Sequence, residues 1–274
     1  MKKLIIHADD AGLSQAHNEA TLRAVEEGVC TSYSIMMPCA WAYDMVRIAN
    51  AHPHHDAGIH LTLTCEWHNY RFGPVAGAGS VPSLVDEYGH FFRTRDQLAE
   101  YAASEEVEIE LRAQINYALK LGLQPTHLDS HMYSVGARQD FLDIYRRLGR
   151  EFGLPVQLSQ GLLRHVRNNH QRIVPLGSET LVDHVHLATF AQFQRRGIVA
   201  HYRSVLKNLP NGLNILLVHP AINSAEMRAI TVDHPNFGAA WREIDHDFLL
   251  SAASHSLITE LGIELMDWRS ISAG

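Results

Sequence analysis

The chain has 274 residues, 46% of them hydrophobic and 19% charged, which is ordinary globular usage and enough to bury a sizeable core. Its formal charge is −7 at pH 7, and no run of Lys or Arg exceeds two residues. This excludes a nucleic-acid binder held by phosphate contacts and a polybasic membrane association. The three cysteines (Cys30, Cys39, Cys65) form no C-x-x-C pair, so neither a disulfide framework nor a thiolate zinc site is expected, and a reducing cytoplasm fits best.

Apolar runs and amphipathic stretches alternate along the chain. Leu4-Ile5-Ile6 is a short strand-like run that stops at His7-Ala8-Asp9-Asp10, too soon for the apolar core of a signal peptide. Ser14 is a natural N-cap for a helix over 15–27, and Gly28 a natural stop. Thr31 to Met37 is rich in strand formers and ends at Pro38. Residues 41–51 read as a helix and Ala57-Gly58-Ile59-His60-Leu61 as a third strand. From about 65 to 95 the periodicity breaks into Trp, Tyr, Gly, Pro and Arg, and so long a loop in a compact domain is usually functional.

Helical periodicity returns over 96–121 and stops at Gly122. Thr126-His127-Leu128-Asp129 is the next strand, a helix follows over 137–152, and Pro155 to Leu158 resembles another short strand. The pattern over 161–180 is ambiguous, and helices are predicted over 181–195 and 197–208. Asn214 to Val218 is the clearest buried strand, closed by His219-Pro220. A helix over 245–261 leads to a last short strand, Ile263 to Met266. Repeated β/α units without an internal repeat or a linker predict one domain over 1–274, a single distorted TIM-like (β/α) barrel, complete or incomplete. No G-x-G-x-x-G follows the first strand, which removes the main reason to prefer a dinucleotide fold.

Histidine is over-represented, with 19 residues. Pro53-His54-His55 and His165 to His170 sit in polar, loop-like stretches and read as surface filler. Elsewhere acids and histidines fall at strand ends: Asp9-Asp10, His60, His127 with Asp129, and His219. Active sites of α/β barrels are assembled from the C-terminal ends of their strands, so these groups should converge. Two adjacent carboxylates repel unless a cation is near, and on a regular strand they point to opposite faces. Both reach one site only if the chain turns at Ala8-Asp9-Asp10. Two imidazoles with an aspartate make a common site for one divalent metal ion, magnesium or zinc foremost. Asp129 and His131 share parity with His127, which suits Asp129 to orienting an imidazole. Trp67, Tyr70, Arg71 and Phe72 of the long loop could stack on and hydrogen-bond a sugar, or pack back on the rim.

The segments His7-Ala8-Asp9-Asp10-Ala11-Gly12, Gly58-Ile59-His60-Leu61, Thr126-His127-Leu128-Asp129-Ser130-His131 and Leu217-Val218-His219-Pro220 together resemble the successive motifs of the YdjC-like (ChbG/HpnK) carbohydrate deacetylases. The resemblance runs in order over nearly the whole chain. It implies a distorted barrel and metal-dependent hydrolysis of an N-acetyl group on a small acetylated sugar. By this resemblance Asp10, His60 and His127 match the metal ligands, Asp9 the general base, and His219 the acid or electrostatic partner. Ala11 replaces the family's usual aromatic residue, and Tyr133 replaces a further histidine found in many members. The alternatives are a metal-dependent hydrolase of another bond, such as a phosphoester, and a metal- or sugar-binding protein without catalysis. A homodimer is compatible with the sequence, and no nucleic-acid or membrane partner is expected.

Overall fold

The computed structural model describes residues 1–161, 174–177, 179–195 and 197–272. In chain order the elements are β1 (Lys2–Ala11), α1 (Gln15–Glu26), β2 (Ser32–Ile35), α2 (Ala42–Ala51), β3 (Ala57–Leu61), α3 (Arg95–Tyr101), α4 (Ser104–Lys120), β4 (Leu128–Ser130) and α5 (Gln139–Phe152). Then come β5 (His184–Leu187), α6 (Phe190–Arg195), α7 (Ile198–Lys207), β6 (Gly212–Val218), α8 (Ala225–Ile230), α9 (Ala239–Leu250), α10 (Ala252–Glu260), β7 (Glu264–Leu265) and α11 (Trp268–Ser272). The strands run parallel in the order β4-β3-β2-β1-β6-β5, with β7 paired to the start of β1. This is a curled, open sheet of six strands, a half-barrel of the TIM kind. Isolated parallel bridges, Leu128 with Val156 and Leu158 with Leu181, span part of the gap between its edges. No helix among the described residues is long and apolar enough to cross a membrane.

The alternation of β1 sorts its side chains between two layers. Leu4, Ile6 and Ala8 join the large core beneath the helices. Ile5 faces inward, packing with Val182, Leu213, Ile215, Leu217 and Trp268 to plug the floor of the barrel. His7 lies one step above Ile5 on the same inner face, and Asp9 one step above His7. The interior thus changes from apolar at the floor to polar at the C-terminal ends of the strands.

Three helix expectations are corrected. The periodic stretch 96–121 is two helices, α3 and α4, separated at Ala102-Ala103. Residues 181–195 are not one helix: His184–Leu187 is β5, paired in register with Asn214 to Leu217, and helix occurs only at Phe190–Arg195. Pairing with a central strand decides the conformation of this short segment over its local pattern. The helix expected over 245–261 begins earlier and is two helices, broken at Ser251, whose hydroxyl accepts from Ser254 N and caps α10. Most of the ambiguous stretch 161–180, with His165 and His170, lies outside the described residues.

Gly58 has a steric duty in β3. A Cβ there would stand 2.4 Å from Cε1 and Nε2 of His127, so only glycine leaves room for that buried ring. Gly58→Ala is therefore expected to destabilise the fold by about 1–3 kcal/mol, the usual cost of overpacking. Urea denaturation measures this, and an unchanged midpoint would place the His127 ring elsewhere.

Candidate metal and catalytic centre

Asp9 and Asp10 both reach the inner site because β1 breaks its alternation between them. The β1–β2 register shifts between Ala8 and Ala11, and Asp10 takes a left-handed conformation with φ 66°. Aspartate tolerates this region better than most residues, and such positions recur at functional sites. A backbone contact fixes the turn: His17 Nε2 on α1 hydrogen-bonds Asp9 O at 2.8 Å.

Asp10 is almost wholly buried and divides its two oxygens. Oδ2 accepts from Arg242 Nη2 at 2.8 Å, while Oδ1 lies 3.3 Å from His60 Nε2 and 3.0 Å from His131 Nδ1. Burial favours the neutral acid, but Arg242 and His131 outweigh it and hold the carboxyl well below the usual range. Each imidazole is gripped from behind by another carboxylate. His60 Nδ1 meets Asp129 Oδ1 at 2.9 Å, and His131 Nε2 meets Glu66 Oε2 at 2.9 Å. His60 Nε2 and His131 Nδ1 are thereby aimed at Asp10 Oδ1. Carboxylate-backed imidazoles of this kind orient metal ligands and raise their basicity. Burial opposes charge on His131, yet Glu66 and Asp10 raise it to about 9. Two imidazole nitrogens and a carboxylate oxygen gathered at one point suit a divalent ion with positions left for other ligands. Asp10, His60 and His131 are the donor group that fits; Asp9, His60 and Asp129 form an adjoining one.

The structure does not bring His127 to Asp10 and His60. It clusters instead with His7 and Asp129, one tier deeper, stacked on Trp268 with ring centroids 5.0 Å apart. Its Nδ1 lies 2.9 Å from Thr126 Oγ1 and 3.4 Å from Asp56 Oδ1. Asp129 lies in β4, with His127 just before the strand and His131 just after it. They differ in depth, since two residues of strand advance about 6.6 Å. His60 is in register with Asp129, so His131, the histidine one step further up, joins His60 Nε2 around Asp10 Oδ1. Asp129 also accepts from Ser34 Oγ at 2.8 Å and lies 2.8 Å from His7 Nε2. It is the hub of the tier below the donors.

Asp9 and His219 face each other beside this group, with Oδ2 and Nε2 3.5 Å apart. Burial pushes Asp9 up to about 6, against the pull of His60 and His7. Burial also holds His219 well below the ordinary range of histidine. The His219 backbone N–H donates to Asp245 Oδ2 at 2.9 Å, and its ring lies 4.6 Å from that of Phe237.

The aromatic and Arg residues of the long loop pack back on the rim, one of the two arrangements expected of them. Arg71 turns inward to the carbonyls of Cys65 and Phe91 and to Asp86 Oδ2, tying the loop to itself. Tyr70 donates to Leu13 O at 2.9 Å, bracing the loop against the β1–α1 turn. Trp67 is fully buried, with the Arg242 guanidinium 5.5 Å from its ring centroid. What the loop delivers is Glu66.

Glu66 and Arg242 are the residues that sequence reading missed. Glu66 stands in an aperiodic segment and carried no signal. Arg242 had one: with Asp245 and Leu249 it falls on one stripe of α9 at helical spacing, and charges on a buried stripe need partners.

The profile of the YdjC-like protein family matches residues 3–260. A carbohydrate deacetylase of Thermus thermophilus is 34% identical over 272 residues, covering 98% of this chain and 93% of that protein. One from Brevibacillus brevis strain 47 is 41% identical over 155 residues, a match spanning 57% of this chain and 58% of the relative's length. Among solved structures, a protein of Enterococcus faecalis V583 named for cellobiose-phosphate cleavage superposes with a TM-score of 0.79 at 26% identity, over 98% of both chains. With a family profile covering nearly the whole sequence and a full-length relative at this identity, the chain belongs to the YdjC-like family, whose curated members here are carbohydrate deacetylases.

Proposed function

We propose that the chain removes the N-acetyl group from an acetamido sugar or short oligosaccharide, acting as a single catalytic domain over 1–274. One observation carries this reading: the Asp9–His219 pair and the Asp10, His60 and His131 group stand together where the strands of the half-barrel end. The names of its relatives supply the substrate class. Three buried, free cysteines support a reducing compartment such as the cytoplasm.

A divalent ion held by Asp10, His60 and His131 would polarise the amide carbonyl and make water more acidic. Asp9 takes the proton of the attacking water; its Oδ1 lies 3.3 Å from His7 Nε2, which leaves Oδ2 as the oxygen that faces His219. His219 begins neutral, so it protonates a leaving amine only after receiving a proton. Asp9 Oδ2, 3.5 Å away, is the group placed to hand it over. The balance then closes: hydroxyl goes to the acetyl carbon, the C–N bond breaks, and the proton taken from water leaves on the sugar amine. Arg242 fixes Asp10 for its ligand role, and Asp245 holds the backbone that presents His219.

Acetate release from N-acetylglucosamine oligomers is the direct assay. Release should require a divalent ion and stop with a chelator; acetate production indifferent to the chelator contradicts the metal-dependent reading. Asp9→Asn should keep bound metal and substrate while kcat falls by about 10²–10⁴, the range typical of a general base. Near-normal turnover in that variant removes Asp9 from the chemistry. His131→Ala is expected to lose bound metal, whereas His127→Ala should retain it at lower stability. Elemental analysis after dialysis separates the two, and the opposite result would return His127 to the donor set. Glu66→Gln should weaken metal binding by about 10–100-fold, the usual effect of removing a carboxylate behind a ligating imidazole. Titration with zinc measures it, and unchanged affinity would make Glu66 a loop anchor alone.

A further inference from the structure

Three imidazoles converge on one carboxylate at the opposite end of the sheet. Glu26 ends α1, while His52, His54 and His55 lie in the turn between α2 and β3. Glu26 Oε1 is 3.0 Å from His52 Nδ1, 3.6 Å from His54 Nε2 and 2.6 Å from His55 Nε2. One nitrogen from each ring and a Glu26 oxygen all lie within 4.8 Å of one another. The rings crowd together, His52 stacked on His55 at 4.8 Å and His54 edge-on to His55 at 4.6 Å.

Hydrogen bonding explains this arrangement poorly. Only His55 is hydrogen-bonded to Glu26, while His52 and the exposed His54 crowd the same oxygen without a hydrogen bond to it. Three imidazolium charges at such spacing would also repel. A divalent cation among them uses the lone pairs of all four groups at once. A tetrahedral zinc with bonds of about 2.0–2.1 Å sets its ligand atoms about 3.3 Å apart; the 3.0 and 3.6 Å from Glu26 to His52 and His54 bracket that spacing, and the 2.6 Å hydrogen bond to His55 would open to reach it. Three nitrogens and one oxygen favour zinc over magnesium. One member is already braced: His55 is 3% exposed, its Nδ1 lies 3.4 Å from Tyr33 Oη, and its carbonyl accepts from Arg269 Nη2. That bracing points Nε2 at Glu26.

We propose that Glu26, His52, His54 and His55 form a second, structural zinc site that pins the end of α1 to the turn entering β3. It uses no residue of the catalytic centre and does not depend on what that centre does.

The probe is zinc alone. Metal-stripped protein is loaded with Zn²⁺, freed of excess by gel filtration, and its metal counted by elemental analysis while the thermal midpoint is followed. The wild type should hold one equivalent more than His52→Ala/His54→Ala, and this variant should lose part of the zinc-induced rise in midpoint while deacetylation is unchanged. His60→Ala/His131→Ala should still hold the extra equivalent. Should that variant fail to fold, the surface variant alone still decides. Equal zinc content and an equal midpoint shift in the wild type and His52→Ala/His54→Ala would overturn the proposal.

Discussion

A β-strand sends neighbouring side chains to opposite faces, so adjacent carboxylates can serve one site only where the strand breaks its own rule. Here the break lies at the end of β1, where the register slips and Asp10 turns to φ 66°. The centre depends on that turn. Without it Asp10 would point toward the helical layer, Arg242 would lose the carboxylate that offsets its burial, and His60 and His131 would have no common oxygen to face. A buried cation stripped of its partner is costly, so the Asp10–Arg242 pair and the turn hold each other in place. Asp9, one residue earlier, keeps the inner face that β1 gives it and stays free to work beside its neighbour.

From this turn the interior is organised in tiers. Ile5 and Trp268 belong to the floor, His7, His127 and Asp129 to the middle, and Asp9, Asp10, His60, His131 and His219 to the open end. Carboxylates hold the upper imidazoles from behind: Asp129 from below for His60, and Glu66 from the loop for His131. The loop is held in turn by Arg71 within itself and by Glu110, which accepts from the backbone N–H groups of Val75 and Ala76. A segment without regular structure can therefore position a carboxylate as firmly as a strand does.

Much of this was legible from residues alone. Apolar runs closed by Asp or His marked the strands and their active end, and the need for a turn at Asp9-Asp10 followed from the pleat. Parity placed His127, Asp129 and His131 on one face. What parity lacks is depth. It cannot say which of three same-face residues stands level with His60; the β3–β4 register, a long-range fact, pairs His60 with Asp129 and so leaves His127 one step below and His131 one step above. Hence the histidine that stands beside Asp10 and His60 is 131, where 127 was expected. Glu66 was hidden because a loop has no period to violate, and Pro53-His54-His55 looked like filler because Glu26 lies far away in sequence.

The central claim is that the ion sits between Asp10 Oδ1, His60 Nε2 and His131 Nδ1. Anomalous diffraction from crystals grown with zinc, recorded on both sides of the zinc absorption edge, locates it most directly. The account predicts a peak within bonding distance of those three atoms, with His127 outside its coordination sphere. A peak coordinated by His127, with His131 turned away, would contradict it.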